Sequence, residues 1–127
     1  MNKIPVSDTR NFAIFGHTGS GKTALTDALL FKLGVSDRLG AVAAGSSMAD
    51  YTDEEKSRKI TIFAKPFTAE YKAGGVKLNL AFVDTPGYMD FFGQVISASH
   101  AVDAGLIVVS ATGRVRVCAP NVCSQDC

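Results

Sequence analysis

The chain has 127 residues, with 13 Lys or Arg against 12 Asp or Glu, so its formal net charge is +1. This length suits one ordinary domain. An apolar fraction of 46% and a net charge near zero exclude an intrinsically disordered chain. The balanced charge gives no support to nucleic-acid binding through bulk electrostatics, and we expect no direct sequence-specific contact with nucleic acid.

No stretch of the sequence indicates secretion or a membrane. The first ten residues are polar, and the longest strongly apolar run, Gly105 to Val109, is far below the ~20 residues that span a bilayer. We therefore predict a cytoplasmic protein without membrane contact. The cysteines Cys118, Cys123 and Cys127 are odd in number and lack metal-ligand spacing, which favours free thiols over disulfides or a zinc site.

The first half of the chain predicts a strand, a loop, a helix and a long connection. Asn11 to Phe15 is a short apolar run typical of a buried strand. Lys22 to Leu33 has apolar residues at helical spacing and is followed by Gly34, a common stop residue. Ser36 to Lys59 is polar and long, which predicts a functional or mobile loop. A solvated surface is predicted for its mixed charges, Asp53, Glu54, Glu55, Lys56, Arg58 and Lys59.

The second half predicts a hairpin, a helix and a final strand. Ile60 to Lys65 and Val76 to Phe82 alternate in polarity around Ala73-Gly74-Gly75, which predicts an antiparallel hairpin. Ala104 to Val109 predicts another buried strand. One face of the intervening helix is predicted to contain Phe91, Phe92, Val95, Ile96, Ser99 and Val102. This order of elements predicts an α/β fold with three layers and a mostly parallel sheet.

The segment GHTGSGKT matches the phosphate-binding pattern GxxxxGK[ST], directly after a predicted strand and at the start of a predicted helix. Glycines allow the backbone to curl so that its N–H groups face an anion, and the helix N-terminus adds partial positive charge. Lys22 is expected to reach the β- and γ-phosphates and Thr23 to bind Mg²⁺. The predicted phosphate-binding residues are Gly16, His17, Thr18, Gly19, Ser20, Gly21, Lys22 and Thr23. The pattern therefore predicts a P-loop NTPase fold.

A second motif, Asp84-Thr85-Pro86-Gly87, follows the apolar segment LNLAFVD. Asp84 is in the position where P-loop folds place the carboxylate that supports Mg²⁺, normally through water. Gly87 has no side chain, so its N–H can approach a γ-phosphate. The same residues could form a plain turn. Their place after a strand favours a second phosphate-side segment that includes Thr85 and Pro86.

These motifs together resemble the GTPase domain of translation factors, most of all elongation factor G and elongation factor G-like proteins. The resemblance depends on GHTGSGKTALTDALLF, DEEKSRKITI, DTPGYMDF and AVDAGLIVVSA, and covers about residues 11–111. It implies a Mg²⁺-dependent domain that binds GTP or GDP, hydrolyses GTP and contacts the ribosome. It also implies that Thr61 senses the γ-phosphate and Mg²⁺. The residue pattern alone equally allows Thr61 to be an outward-facing strand residue.

Three positions depart from the family pattern. Lys59 replaces a glycine that usually precedes the Ile-Thr pair, and left-handed backbone angles are costly for lysine. Gly19 replaces an aspartate of the phosphate loop. Tyr88 replaces a water-orienting histidine, and a phenol is a poor general base that can still orient water. The candidate catalytic residues are therefore Lys22, Gly87 and Tyr88, with aromatic packing as the alternative role for Tyr88.

The NKxD motif that reads guanine in this family does not occur in the sequence, and the family pattern is lost after Ala111. We predict a partial P-loop GTPase domain over residues 1–111, incomplete at its C-terminus, and an atypical, irregular tail over residues 112–127. Nucleotide binding is expected to be weak, with little discrimination between GTP and ATP. Two other classes remain open, namely another P-loop enzyme such as a small-molecule kinase, and a non-catalytic nucleotide- or ribosome-binding module.

Overall fold

The computed structural model describes residues 5–40, 46–49 and 52–111. Short 3-10 turns at Val6–Asp8 and Met89–Phe91 precede the first strand and the last helix. The main elements in this part are β1 (Thr9–Phe15), α1 (Lys22–Lys32), α2 (Asp53–Arg58), β2 (Lys65–Ala73), β3 (Val76–Asp84), α3 (Phe92–His100) and β4 (Ala104–Ile107). The tail from 112 to 127 and its cysteines lie outside the described residues, so what was predicted for them stays a prediction.

The four strands form one sheet in the order β2-β3-β1-β4. β1 pairs in parallel with β3 and with β4, whereas β2 and β3 are antiparallel. The β2–β3 hairpin turns at Gly74 and Gly75, whose φ angles of 57° and 80° lie in the left-handed region that a tight two-residue turn requires. The predicted hairpin turn and the mostly parallel sheet are confirmed.

A different helix covers each face of the sheet. Successive side chains of β1 point to opposite faces. Ala13 and Phe15 pack with Ala98 of α3, while Ile14 packs with Leu30 of α1. The helices α1 and α3 therefore lie on opposite faces, which gives the three layers predicted from the sequence.

Some predicted burial patterns are wrong. Every residue of β4 is exposed, because β4 pairs only with β1 among the described strands and forms the edge of the sheet. On α3, Ala98 is buried and Ile96 is 42% exposed. The buried face of α1 is more polar than its apolar spacing predicts and consists of Lys22, Thr26, Asp27 and Leu30. None of the helices in the described part is long and apolar enough to cross a membrane.

The predicted strand at Ile60 to Lys65 is also wrong, since β2 begins only at Lys65. The N–H groups of Ile62 and Phe63 donate to the carboxylate of Glu55, at 3.0 and 3.3 Å. Because these donors are bound by a side chain, they do not pair with a neighbouring strand. The segment 60–64 thus precedes β2 and is not part of the sheet.

The long polar connection, predicted to be a loop, contains the helix α2. Thr52 and Glu55 form a capping box. The Thr52 hydroxyl accepts from the Glu55 N–H at 3.3 Å, and the Glu55 carboxylate accepts from the Thr52 N–H at 3.3 Å. The spacing Thr-x-x-Glu was the available sequence signal for this helix start. Residues 41–45 and 50–51 of the connection lie outside the described residues.

Glu55 is fully buried, contrary to the solvated surface predicted for the charges around it. Its carboxylate forms an ion pair with the buried Lys65 Nζ at 2.6 Å, and Lys65 also donates to the carbonyl oxygen of Ala49. Burial raises the pKa of Glu55. Hydrogen bonds from Lys65, Ile62 and Thr52 and the positive charge of Lys65 outweigh this effect and lower the pKa to about 2. Glu55 is therefore a paired, ionised group inside the fold.

The lowered pKa of Glu55 predicts a loss of stability in acid. The carboxylate contributes stability that is complete above its ordinary pKa of 4.5 and is lost as the pH falls from there toward 2. By linkage, the loss in the free energy of unfolding is on the order of 3 kcal/mol. Urea unfolding followed by circular dichroism across this pH range measures it.

The matched variants for this measurement are Glu55→Gln and Glu54→Gln. The first should flatten the acid dependence, because the glutamine does not titrate. The second should leave the dependence unchanged, because Glu54 is exposed. The assignment fails when Glu55→Gln keeps the full acid dependence of the parent chain.

Candidate functional site

The loops that follow β1 and β3 start at the same end of the sheet, where the two strands have their carboxyl ends. The parallel register pairs Ile14 with Asp84, so both strands end at the same level. The Thr18 N–H donates to the carbonyl oxygen of Gly87 at 3.1 Å. The Thr85 hydroxyl donates to the carbonyl oxygen of Ile14 at 2.6 Å. These two bonds hold one loop against the other.

The phosphate loop, Gly16 to Gly21, has a curled backbone with φ angles of 73° at Gly19 and 98° at Gly21. The helix α1 begins directly after the loop, so the N-terminus of α1 lies next to the N–H groups of the loop. Lys22 is buried, and its Nζ donates to the carbonyl oxygen of His17 at 2.9 Å. The ring of His17 contacts the backbone of the loop itself, with Nδ1 at 2.9 Å from the carbonyl oxygen of the next residue.

Three side chains with oxygen atoms meet at the start of α1. Thr23 Oγ1 lies 2.9 Å from Thr61 Oγ1, and it donates to Asp84 Oδ2 at 3.0 Å. Thr61 and Asp84 are buried. Thr61 therefore faces inward, and the outward-facing strand position that its sequence pattern also allowed is wrong. The segment 60–64 thus brings a third part of the chain to the two loops.

The spacing of these oxygen atoms fits a Mg²⁺ ion. Mg²⁺ binds oxygen at about 2.0–2.1 Å in an octahedron, so neighbouring ligands lie about 2.9 Å apart. The hydrogen bond of 2.9 Å between Thr23 and Thr61 has this spacing, and the Asp84 carboxylate, at 3.0 Å from Thr23 Oγ1, could support the ion through water. Among the described residues, no group of three or more His, Cys, Asp or Glu could hold a metal. Thr23, Thr61 and Asp84 could therefore hold Mg²⁺ only together with water or phosphate oxygens, as is usual for this ion.

A cleft of about 200 Å³ opens beside these groups. Its lining consists of Thr18, Gly19, Gly21, Lys22, Thr23, Ala24, Lys59, Ile60, Thr61, Gly87 and Tyr88. The remaining predicted site residues do not line it and belong to the phosphate loop or to the end of β3 and its loop, namely Gly16, His17, Ser20, Asp84, Thr85 and Pro86. Sequence reasoning missed Ala24, Lys59 and Ile60 as lining residues. The position of Lys59 and Ile60 directly before Thr61 could have indicated that they line the cleft.

Lys59 adopts the backbone angles that are costly for lysine. Its φ is 55° and its ψ is 41°, which lie in the left-handed region. It ends α2, and its N–H donates to the carbonyl oxygen of Glu55. For a residue with a side chain, this conformation costs roughly 1 kcal/mol. The strained residue thus lies in the wall of the cleft.

Gly87 lies at a close contact between the two loops. A Cβ atom at this position would be 2.5 Å from Lys22 Nζ and 2.5 Å from the backbone nitrogen of Thr18. The lysine side chain could move away, but the backbone of the phosphate loop could not do so without changing its shape. Glycine at this position therefore permits the contact between the loops.

The elongation factor Tu GTP-binding domain is the family whose model matches residues 7–125. The chain belongs to this family. The P-loop GTPase fold predicted from the sequence, and the resemblance to translation factors, are thereby confirmed. The match to the elongation factor Tu family extends past residue 111, and the domain boundary predicted there stays a prediction.

Curated relatives of this chain include mitochondrial ribosome-releasing factors. Ribosome-releasing factor 2 of Drosophila willistoni is 39% identical over 119 residues, which are 94% of this chain and 16% of that protein. The factor of the same name from Saccharomyces cerevisiae is 32% identical over 124 residues, which are 98% of this chain and 15% of that protein. The chain thus spans about a sixth of the length of these relatives.

Solved structures show the same fold. A crystal structure of a protein from Thermus thermophilus is 40% identical and has a TM-score of 0.76, over 87% of this chain and 16% of its own. The GTPase-like domain of Saccharomyces cerevisiae Ski7, solved with GTP, is 18% identical with a TM-score of 0.62, over 84% of this chain and 28% of its own. The second likeness concerns the fold alone.

Gly87→Ala is expected to destabilise the fold by about 1–3 kcal/mol, because the added Cβ forces the two loops apart. Gly93→Ala is the matched control, since a Cβ there meets nothing within 4 Å. Gly93 lies within α3, so its replacement should add up to about 1 kcal/mol of helix stability. Urea unfolding measures both changes. Equal stability of Gly87→Ala and the parent chain would contradict the close contact.

Lys59→Gly is expected to stabilise the fold by about 0.5–1 kcal/mol, since glycine adopts the left-handed region without strain. Lys56→Gly removes the same charge and introduces the same residue inside α2, where it should cost about 1 kcal/mol. Thermal unfolding of the two variants measures the difference. Destabilisation of the same size in both would show that Lys59 is not strained.

Proposed function

We propose that this chain binds GTP or GDP with Mg²⁺ and hydrolyses GTP in the manner of elongation factor G. The observation that carries the proposal is the convergence of Thr23, Thr61 and Asp84 beside the phosphate loop, with oxygen–oxygen distances of 2.9 and 3.0 Å. Membership of the elongation factor Tu GTP-binding domain family supports a guanine nucleotide as the class of ligand.

The phosphate loop and Lys22 bind the phosphates in this proposal. The N–H groups of residues 16–21 and the N-terminus of α1 attract phosphate oxygens. The ammonium group of Lys22 is held against the loop by its bond to the His17 carbonyl oxygen, and this position next to the loop supports its proposed contact with the β- and γ-phosphates. Binding thus needs little movement of the main phosphate contact.

Thr23, Thr61 and Asp84 hold Mg²⁺ in this proposal, and the ion supplies charge neutralisation at the phosphate oxygens when bound. The segment 60–64 contributes Thr61 to the site, and the loop after β3 contributes the Gly87 N–H. Both contact the γ-phosphate in this proposal. A triphosphate would therefore stabilise this arrangement of the two segments more than a diphosphate does.

Hydrolysis needs a water molecule in line with the γ-phosphate. Tyr88 lines the cleft next to Gly87 and is 40% exposed. A phenol is a poor general base, so its role in the proposal is to orient the water. The resulting hydrolysis is slow.

The nucleotide base and the ribosome complete this proposal. The sequence has no NKxD motif, so we infer little discrimination between GTP and ATP. The names of the relatives connect them with ribosome release in mitochondria. We extend the ribosome to this chain as a proposed partner, with residues 1–111 as the nucleotide-binding unit. The cytoplasmic location predicted from the sequence stays a prediction, because these relatives are named mitochondrial.

Calorimetric titration with GTP, GDP and ATP, with and without Mg²⁺, tests binding. The parent chain should bind GTP more tightly with Mg²⁺, and ATP within about threefold of GTP, because phosphate contacts do not read the base. Lys22→Ala should weaken binding at least about tenfold. Lys32→Ala, at the exposed end of α1, should not. An exclusive preference for GTP would overturn the predicted lack of discrimination, and a parent chain that binds no nucleotide would overturn the proposal.

Single-turnover GTP hydrolysis tests the role of Tyr88. Tyr88→Phe should lower the rate at least about tenfold with an unchanged Kd, because a misplaced water loses in-line geometry. Equal rates would leave Tyr88 with aromatic packing only. Binding without any turnover in the parent chain would instead favour a non-catalytic module, and phosphoryl transfer to a small molecule would favour a kinase.

A further inference from the structure

A single buried oxygen binds the segment that presents Thr61. Glu55 Oε1 accepts from the N–H groups of Ile62 at 3.0 Å and Phe63 at 3.3 Å. These are the two residues that directly follow Thr61. The backbone on the C-terminal side of Thr61 is therefore held by a side chain and not by strand pairing.

The second oxygen of Glu55 connects this segment to the rest of the fold. Oε2 accepts from the Thr52 hydroxyl at 2.7 Å and from Lys65 Nζ at 2.6 Å. Lys65 also donates to the carbonyl oxygen of Ala49. One carboxylate thus joins the start of α2, the start of β2 and the segment between them.

The N-terminal side of the same segment is fixed through the end of α2. The N–H groups of Lys59 and Ile60 both donate to the carbonyl oxygen of Glu55, the latter at 3.2 Å. Backbone and side chain of one residue therefore hold both sides of Thr61. The Thr61 hydroxyl lies between these anchors, at 2.9 Å from Thr23 Oγ1.

We propose that Glu55 is a positioning residue that presets Thr61 against Thr23 before nucleotide and Mg²⁺ bind. This inference rests on the proposed function. A buried ion pair adds little net stability over apolar residues of similar volume. An apolar pair would not supply an acceptor for the Ile62 and Phe63 N–H groups, and this acceptor is what places the hydroxyl of Thr61.

Two double variants separate positioning from stability. Both contain Lys65→Met, so neither leaves a buried charge without its partner. Glu55→Gln/Lys65→Met keeps an oxygen that can accept from the two N–H groups. Glu55→Met/Lys65→Met has similar volume and lacks that oxygen. Thr52→Ala is the control, because it removes the helix cap without removing the acceptor.

The first measurement is amide hydrogen exchange of the chain without nucleotide, well below its melting temperature. Exchange at Ile62 and Phe63 should be at least about tenfold faster in Glu55→Met/Lys65→Met than in Glu55→Gln/Lys65→Met, and unchanged in Thr52→Ala. Equal exchange in the two double variants would overturn the inference. If Glu55→Met/Lys65→Met does not fold, Glu55→Leu/Lys65→Met takes its place in the same comparison.

The second measurement is the ratio of Kd values for GDP and a non-hydrolysable GTP analogue with Mg²⁺. The preference for the triphosphate should fall about tenfold in Glu55→Met/Lys65→Met and be retained in Glu55→Gln/Lys65→Met. Thr61→Ala should lower this preference in the parent chain and have no further effect in Glu55→Met/Lys65→Met. Additive effects would overturn the inference. A parent chain without nucleotide binding would overturn the proposed function, while hydrogen exchange still decides the position of Thr61.

Discussion

Parallel strands leave a sheet at the same edge, and the pairing of β1 with β3 brings two loops together that are far apart in sequence. The register that pairs Ile14 with Asp84 also places Phe12 opposite Phe82, whose rings stack with centroids 5.6 Å apart. A slip of one residue would turn these side chains to the wrong face of the sheet. The same slip would withdraw Asp84 from Thr23. Core packing between the two strands therefore sets the oxygen spacing of the candidate site.

The third part of the site depends on side chains and not on backbone pairing. The segment 60–64 reaches Thr23 through Thr61, and it is held by Glu55 from within the fold. Two features that cost free energy lie shortly before this segment. They are the buried charge of Glu55 and the left-handed backbone of Lys59. Strain and buried charge of this kind concentrate where a fixed geometry is needed for function. Lys59 lines the cleft, and Glu55 accepts from the N–H groups that follow Thr61, which agrees with the positioning role of Glu55.

Local signals explain which features could be predicted from the sequence. The β1 strand, the phosphate loop, the turn at Gly74 and the loop after Asp84 are each set by residues within a few positions. The segment 60–64 alternates in polarity like a strand, but its N–H groups are taken by Glu55, and no periodicity contains that contact. The burial of Glu55 depends in the same way on Lys65, ten residues along the chain. The charged residues next to Glu55 predicted exposure instead, because a run of residues with mixed charges usually faces solvent.

The cleft makes recognition of phosphate separable from recognition of the base. Among the described residues, its lining has two lysines, Lys22 and Lys59, together with loop N–H groups and the hydroxyl groups of Thr18, Thr23, Thr61 and Tyr88. Such groups suit phosphate and metal. Such contacts have the same energy for every purine nucleotide. In the proposed function they change only with the number of phosphates, because the segments with Thr61 and Gly87 are the ones proposed to contact a γ-phosphate. The proposed function therefore implies a chain that distinguishes a triphosphate from a diphosphate before it distinguishes guanine from adenine.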